Sequence, residues 1–422
     1  MCTKLMSPNH NRTILLIDGQ SFYASVEKSA HPEYQDKPIA IGDPNRASGI
    51  ILTACPIAKA RGVTTASRVS EALAICPELI VVRPRMGRYI QISLLITRIF
   101  ESITDQVEPY SIDEQFLDVT GLGQPEDVAR YLQEHVLLST GVWSRVGIGP
   151  TKVLAKMATD NFAKRQSDGI YRLDWDNIEQ DLWPLPVHQM FMVASKMTYH
   201  FMVMGIRTIG DIARMPLGDF KQRMRQRMGK QSDIQAEYYW QMSRGIDPSP
   251  VEPSIRGALK SVSHGKTLPR GRYSKRQDIE VVLLELVIEV CRRARRLGVQ
   301  GRVIMVGAGE TDGDRAARFG RQVTLPHYTA LTHEVADTVL QLFSDYWQGM
   351  PVTHLYVSLN QLSRDNVQQL DLFNDRAAAL DLETAIDEIK DKYGSDAIMR
   401  ASSLQEAGVA RERAQQIGGH YA

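Results

Sequence analysis

The sequence predicts an α+β protein of several domains, built on an antiparallel sheet that carries carboxylates at its strand ends. Three observations lead there. At 422 residues the chain exceeds what one hydrophobic core usually organises. Its first part alternates short aliphatic runs with amphipathic helical stretches. A second series of helix and strands begins near Lys260, after a mostly helical interval.

Thr13 to Ile17 is a β-branched and aliphatic run ending at Asp18, the pattern of a buried strand with an acid at its C-terminal end. Phe22 to Lys28 reads as a helix. Gly49 to Ala54 reads as a strand, and Ile57 to Arg61 as a helix stopped by Gly62. Ile92, Leu95, Ile96 and Ile99 give Arg88 to Ile103 a helical apolar repeat. Gln106 to Tyr110 and Gln115 to Val119 form a hairpin whose bend holds Asp113 and Glu114. Glu126 to Leu138 is helical, Val142 to Ile148 extended, and Lys152 to Lys164 a helix with Lys152, Lys156 and Lys164 on or near its polar side. This order places a helix-backed antiparallel sheet around a separate lobe at about 29–87. Beyond it, Trp183 to Asp247 is mostly helical. Strands at Ser261 to Leu268, Arg302 to Val306, Arg321 to Leu325 and Thr353 to Leu359, with a helix at about 278–297, make the second module.

Composition excludes some classes. Hydrophobic residues are 43% and charged residues 23% of the chain, which is ordinary for a globular protein. The most apolar stretch, Val281 to Val290, contains Glu285 and Glu289, so no membrane partner is expected. Cys2, Cys55, Cys76 and Cys291 lie too far apart for a metal knuckle or disulfide framework, and a cytoplasmic location is expected. Net charge is +1, but Arg256 to Arg321 holds fifteen Lys or Arg against seven Asp or Glu, whereas Ser363 to Ala422 holds seven against eleven. A basic module followed by an acidic tail fits nucleic-acid binding or, equally, solvated helix faces, since Arg292, Arg293, Arg295 and Arg296 end a helix where cations suit the dipole.

Asp18 at a strand end and Asp113 and Glu114 at a bend would repel one another if brought together without cations, and hard cations take oxygen ligands. Two ions about 3.5–4 Å apart can activate a hydroxyl and stabilise a leaving pyrophosphate in line. Asp-Glu at a bend is also ordinary turn chemistry.

Longer motifs bear on that choice. Asp18-Gly19-Gln20-Ser21-Phe22-Tyr23-Ala24-Ser25-Val26-Glu27 and Tyr110-Ser111-Ile112-Asp113-Glu114-Gln115-Phe116-Leu117-Asp118 resemble the two acidic motifs of Y-family DNA polymerases, in order and separation. Val146 to Ala158 resembles the palm helix that follows, and Ala58 to Val63 the fingers. The resemblance implies a right-hand polymerase with a ferredoxin-like palm (11–28 and 88–175), small fingers (29–87), a helical thumb (176–250), an α/β little finger that binds DNA (258–362) and a C-terminal tail (363–422). It implies that Asp18, Asp113 and Glu114 hold two Mg²⁺ ions, for which Mn²⁺ can substitute, with Gly19 as a further ligand. Tyr23 becomes the steric gate that collides with a 2′-hydroxyl, although periodicity alone also fits a core aromatic. Phe22, Tyr23, Thr53, Lys59 and Lys164 become nucleotide-binding residues. The implied function is low-fidelity, template-directed synthesis past damaged bases, on primer-template DNA with deoxynucleoside triphosphates, in the nucleoid.

Departures from the family pattern are Gln20, Pro56 and the segment Phe191 to Lys196, where relatives have a Gly-x-Gly hairpin; Met192 and Ala194 stand at the glycine positions. The tail from Asp381 resembles that of UmuC-like members from Gram-positive bacteria and their mobile elements. Ahead of it, in the 363–422 tail, Gln369-Leu370-Asp371-Leu372-Phe373 resembles the peptide by which bacterial polymerases bind the sliding clamp, and a helix with Leu382, Ile386 and Ile389 on one face follows. Other damage-response proteins are further candidate partners. Two rival readings remain at this stage, a non-catalytic DNA- or clamp-binding protein and a nucleotidyl cyclase on a similar sheet.

Overall fold

The computed structural model describes residues 12–253, 259–310, 318–364, 375–417 and 420–421. The chain forms two compact units, divided between residues 255 and 256.

The first unit begins with β1 (Ile14–Gly19) and α1 (Phe22–Ala30). A small lobe follows: β2 (Ile39–Ile41), β3 (Thr53–Ala54), α2 (Pro56–Ala60), α3 (Val69–Ile75) and β4 (Ile80–Val82), its three strands ordered β3-β2-β4. Of the expected strand from Gly49, only Thr53 and Ala54 pair regularly. The chain then returns through α4 (Met86–Glu101), the hairpin strands β5 (Val107–Pro109) and β6 (Glu114–Asp118), α5 (Pro125–Thr140), β7 (Ser144–Gly149), α6 (Lys152–Asn161) and β8 (Ile170–Arg172). These strands form one sheet, β5-β6-β1-β7-β8, with β1 antiparallel to both neighbours.

Alternation along β1 decides where its acid points. Leu15 and Ile17 join the core with Ile92, Ile96 and Phe100 of α4 and Leu132 and Val136 of α5. Ile14 and Leu16 face the other way, toward Ala155 of α6. Side chains two apart share a face, so Asp18 lies on the α6 side. On β6, Phe116 belongs to the α6 face and Leu117 to the opposite core, which puts Glu114 on the α6 side as well. Asp18 and Glu114 are directly opposite one another in the register. Two glycines let α6 approach this sheet: a Cβ on Gly147 would lie 2.2 Å from the Ala155 carbonyl, and one on Gly149 2.8 Å from the Ala155 nitrogen.

Helices α7 (Ile178–Asp181), α8 (Ser195–Val203), α9 (Ile209–Arg214), α10 (Leu217–Met228) and α11 (Asp233–Ser243) complete the unit around Phe201, Ile209, Phe220 and Tyr239. Leu154 and Met157 of α6 belong to the same cluster, and the buried Thr151 hydroxyl donates to the Gly245 carbonyl at 3.0 Å.

The second unit is a four-stranded antiparallel sheet with three long helices. Its elements are β9 (Ser261–Thr267), α12 (Arg276–Arg296), β10 (Gln300–Gly309), β11 (Arg318–Thr329), α13 (Thr332–Tyr346), β12 (His354–Ser363) and α14 (Arg376–Tyr393), with strand order β11-β10-β12-β9. Val262, Ile304, Val306, Leu355 and Val357 pack on Leu283, Leu286, Val290, Val339 and Phe343.

The acidic tail is part of this unit. Arg295 of α12 donates to Asp387 at 2.7 Å and to the Ala330 carbonyl at 2.8 Å, and also pairs with Glu383. Arg292 pairs with Asp391, and Arg293 with Glu289 at 2.7 Å. Arginines that their local density offered as a phosphate-binding surface are thus largely occupied by α14 and by α12 itself. The helix expected to present Leu382, Ile386 and Ile389 instead turns Glu383 and Asp387 inward and leaves Leu382 63% exposed. Residues 369–373 lie outside the described residues.

Candidate active site

The site lies where the end of β1, the start of β6 and the last turns of α6 converge. Asp18 is 7% exposed, and its carboxylate meets Lys164 Nζ at 2.7 Å. Glu114 accepts from Lys156 Nζ at 2.6 Å. Asp160 lies between the two lysines, 3.0 Å from Lys156 Nζ and 2.8 Å from Lys164 Nζ. Ligand oxygens of Asp18, Glu114 and Asp160 fall within 4.8 Å of one another.

Burial raises the carboxyls of Asp18 and Glu114 above the ordinary range, against the pull of Lys164 and Lys156. Burial would raise Asp160 too, but the two lysines outweigh it and hold this carboxyl below its usual value. The lysines are themselves raised, because the acids outweigh the cost of removing an ammonium from water. An all-oxygen donor set that already attracts two ammonium groups suits a hard divalent cation rather than a soft one.

Asp113 is one residue before β6 and its side chain is oriented differently. Ser111 Oγ donates to Asp113 Oδ1 at 2.7 Å, while the Asp113 carbonyl accepts from the Gly19 N–H at 2.9 Å. The structure therefore brings Asp18 and Glu114 into the oxygen cluster, fixes Gly19 beside it through the Asp113 backbone, and leaves the Asp113 carboxylate outside the 4.8 Å group. Asp160 was missed from the sequence. Its signal was present, since Lys156, Asp160 and Lys164 follow one another at i,i+4 spacing.

Tyr23 stands on α1 with its ring stacked on Tyr89, centroids 4.5 Å apart. Tyr89 in turn donates its hydroxyl to Glu27 at 2.7 Å, and Glu27 accepts two bonds from Arg85, at 3.0 and 2.6 Å. Glu27 is fully buried. Phe22 is buried in the core, so its side chain supports α1 by packing. Lys59 Nζ donates to Ser21 Oγ at 2.9 Å, and Ser21 takes a left-handed backbone, φ 48°, just before α1. Thr53 is half-buried on β3, in the inserted lobe. At the altered hairpin Met192 keeps a left-handed conformation, φ 64°, that a glycine adopts without strain.

A right-hand arrangement with an acid pair on the central strands and a lysine-bearing helix across them is that of a nucleotidyl-transferring polymerase. Residues 17–160 match the impB/mucB/samB family and residues 259–372 its C-terminal domain. DNA polymerase IV 2 of Bacillus subtilis is 47% identical over 97% of this chain and 99% of its own, and that of Halalkalibacterium halodurans 44% over 97% and 100%. A Bacillus subtilis protein named putative UV-damage repair protein UvrX is 33% identical over 97% of both chains. A solved Y-family DNA polymerase chimera of Dbh and Dpo4 superposes with a TM-score of 0.69 at 23% identity, covering 84% of this chain and 100% of that one. The chain belongs to the impB/mucB/samB family, that of the Y-family DNA polymerases. Its fold is the α+β right hand of that family. No helix among the described residues is long and apolar enough to cross a membrane.

Proposed function

We propose that this polymerase extends primers past damaged template bases with low fidelity, by nucleotidyl transfer assisted by two Mg²⁺ ions. The observation that carries the reading is the cross-strand pair Asp18 and Glu114, desolvated and facing the Lys156-Asp160-Lys164 ladder. Buried carboxylates paired with ammonium groups, one of them the half-exposed Lys164, form a site for cations. The chemistry supplied by two such ions is activation of a primer 3′-hydroxyl and neutralisation of the leaving pyrophosphate. Asp18 and Glu114 would hold them, with Asp113 completing the set by releasing Ser111 and Gly19 contributing through its backbone.

The chain's own groups do the rest. Lys164 and Lys59, mobile point charges on two elements, bind and orient the triphosphate, and Thr53 borders the same space. Tyr23, backed by Tyr89, floors the sugar and excludes a 2′-hydroxyl. We assign the palm to 11–28 and 88–175, the fingers to 29–87, the thumb to 176–250 and the DNA-binding little finger to 258–362. Gln369 to Phe373 recruits the sliding clamp, which raises effective concentration at the primer end, and the enzyme acts on nucleoid DNA in the cytoplasm.

Primer extension across a defined lesion, with Mg²⁺ and with Asp113→Ala alongside, tests the catalytic reading. Extension is expected from the parent chain and lost in the variant, while DNA binding persists. Extension by Asp113→Ala at the parent rate would remove Asp113 from the site. Leu372→Ala with Phe373→Ala should abolish clamp affinity in a calorimetric titration without slowing clamp-free synthesis.

A further inference from the structure

We propose that Asp160 is a positioning residue: it is the carboxylate that retains Lys164 beside the triphosphate site when Asp18 exchanges its ammonium partner for a divalent cation. The inference rests on the reading of Lys164 as a triphosphate contact.

Each lysine bonds two acids. Lys156 Nζ joins Glu114 to Asp160, and Lys164 Nζ joins Asp18 to Asp160. Asp160 is the shared member, and it divides its oxygens, Oδ2 to Lys156 and Oδ1 to Lys164. It is also the member that sits on the helix rather than on the strands. The two ammonium groups differ in freedom: the Lys156 side chain is 9% exposed and that of Lys164 43%. Lys156 is therefore a fixed strut between α6 and β6, and Lys164, beyond the end of α6, can turn outward.

Three carboxylates and two ammonium groups sum to −1 in the arrangement observed. With two divalent cations bound and the Asp113 carboxylate drawn in, the total becomes +2, and an ammonium that had bonded Asp18 is now repelled from the site. Without a second anion Lys164 would leave for solvent. Asp160 supplies that anion from one helical turn away, braced by Lys156, and keeps the Lys164 head at the mouth of the site until a triphosphate offers a stronger partner. A tether of this kind acts on nucleotide capture more than on bond formation, because it shapes the bound state of a residue that does not itself transfer a proton.

A double-mutant cycle on the full-length enzyme with primer-template tests it. The dissociation constant of a non-hydrolysable deoxynucleoside triphosphate analogue is measured by calorimetry in Mg²⁺ for Asp160→Asn, Lys164→Ala and the pair. Each single change is expected to weaken binding about tenfold, and the pair no more than the worse single, as for residues acting through one another. The KM for nucleotide should rise in parallel while kcat falls less, and Asp160→Glu should recover most of the affinity. Additive losses, about a hundredfold for the pair, would overturn the inference while leaving Lys164 as a nucleotide contact. Loss of turnover at saturating nucleotide, as for Asp113→Ala, would make Asp160 a metal ligand instead. Unchanged affinity in Lys164→Ala would remove the underlying reading, and the inference with it. A melting temperature lowered without a change in affinity would leave Asp160 only structural, and would also overturn it.

Discussion

Glu27→Gln isolates what a buried carboxylate contributes behind the gate. The substitution preserves volume, so no cavity opens, but it removes the charge that accepts two bonds from Arg85 and one from Tyr89. Breaking a buried ion pair by neutralising one partner typically costs about 3–5 kcal/mol. Here the Arg85 side chain is 44% exposed and can turn to water, which places the loss at the lower limit, about 3 kcal/mol. For a unit of this size that is a fall of roughly 6–12 °C in the melting temperature of the N-terminal transition. Tyr89→Phe keeps the ring under Tyr23 and deletes one bond, for a loss of about 1–1.5 kcal/mol. Urea denaturation with thermal scans gives both numbers. The ratio of ribonucleotide to deoxynucleotide incorporation then reads the gate, which should loosen in both variants, because Glu27→Gln weakens and Tyr89→Phe deletes the bond that anchors the residue 89 ring. A loss below about 1 kcal/mol in Glu27→Gln, with unchanged sugar selectivity, would refute the idea that this network fixes the gate.

Three further outcomes follow from the same structure. Folded-state carboxyls of Asp18 and Glu114 lie above their unfolded values, so their contribution to stability is full below the unfolded pKa and is lost as pH rises through the folded one. Mg²⁺ uptake in acidic solution should accordingly release protons, and calorimetric heats identical in two buffers of unlike ionisation enthalpy would contradict this. Arg295→Met strands Glu383 and Asp387 against the second unit, and should undock α14 at a cost of about 3–5 kcal/mol; unaltered hydrogen exchange in the α14 amides would count against it. Met192→Gly relieves a left-handed backbone at a side chain 60% exposed, so a gain of up to about 1 kcal/mol is expected after the unfolded-chain entropy of glycine, together with tighter primer-template binding. Destabilisation would show that the Met192 side chain contributes more than its conformation costs.

Local patterns in the sequence were sufficient for the sheet and its acids, because β1, β6 and α6 each carry an unmistakable period and Asp18 and Glu114 fall on predictable parities. The same parity argument, carried one residue further, separates Asp113 from Glu114, a distinction that adjacency in sequence conceals. Asp160 escaped because lysines on a helix face read as solvated surface until the strand opposite them is known to be acidic. The Tyr23-Tyr89-Glu27-Arg85 chain was illegible for a similar reason: its members lie on α1 and around the start of α4, and nothing local brings those elements together. At Met192 the residue type suggested an altered loop, whereas surrounding contacts, including the Tyr239 hydroxyl on the Met192 carbonyl at 3.3 Å, hold the glycine-like conformation. Tertiary structure there overrides local preference.

The docking of α14 on the arginines of α12 changes how salt should act on this protein. A polyanion that approaches Arg292 or Arg295 meets carboxylates already in place and covalently attached, so it competes with a ligand whose effective concentration is that of a tethered group, on the order of millimolar or above. Each such arginine yields its bound acid rather than releasing a free small ion. The dependence of DNA affinity on ionic strength, which counts phosphates neutralised at about 0.9 ion per contact, will therefore register fewer contacts than the fifteen cations between Arg256 and Arg321 invite one to expect.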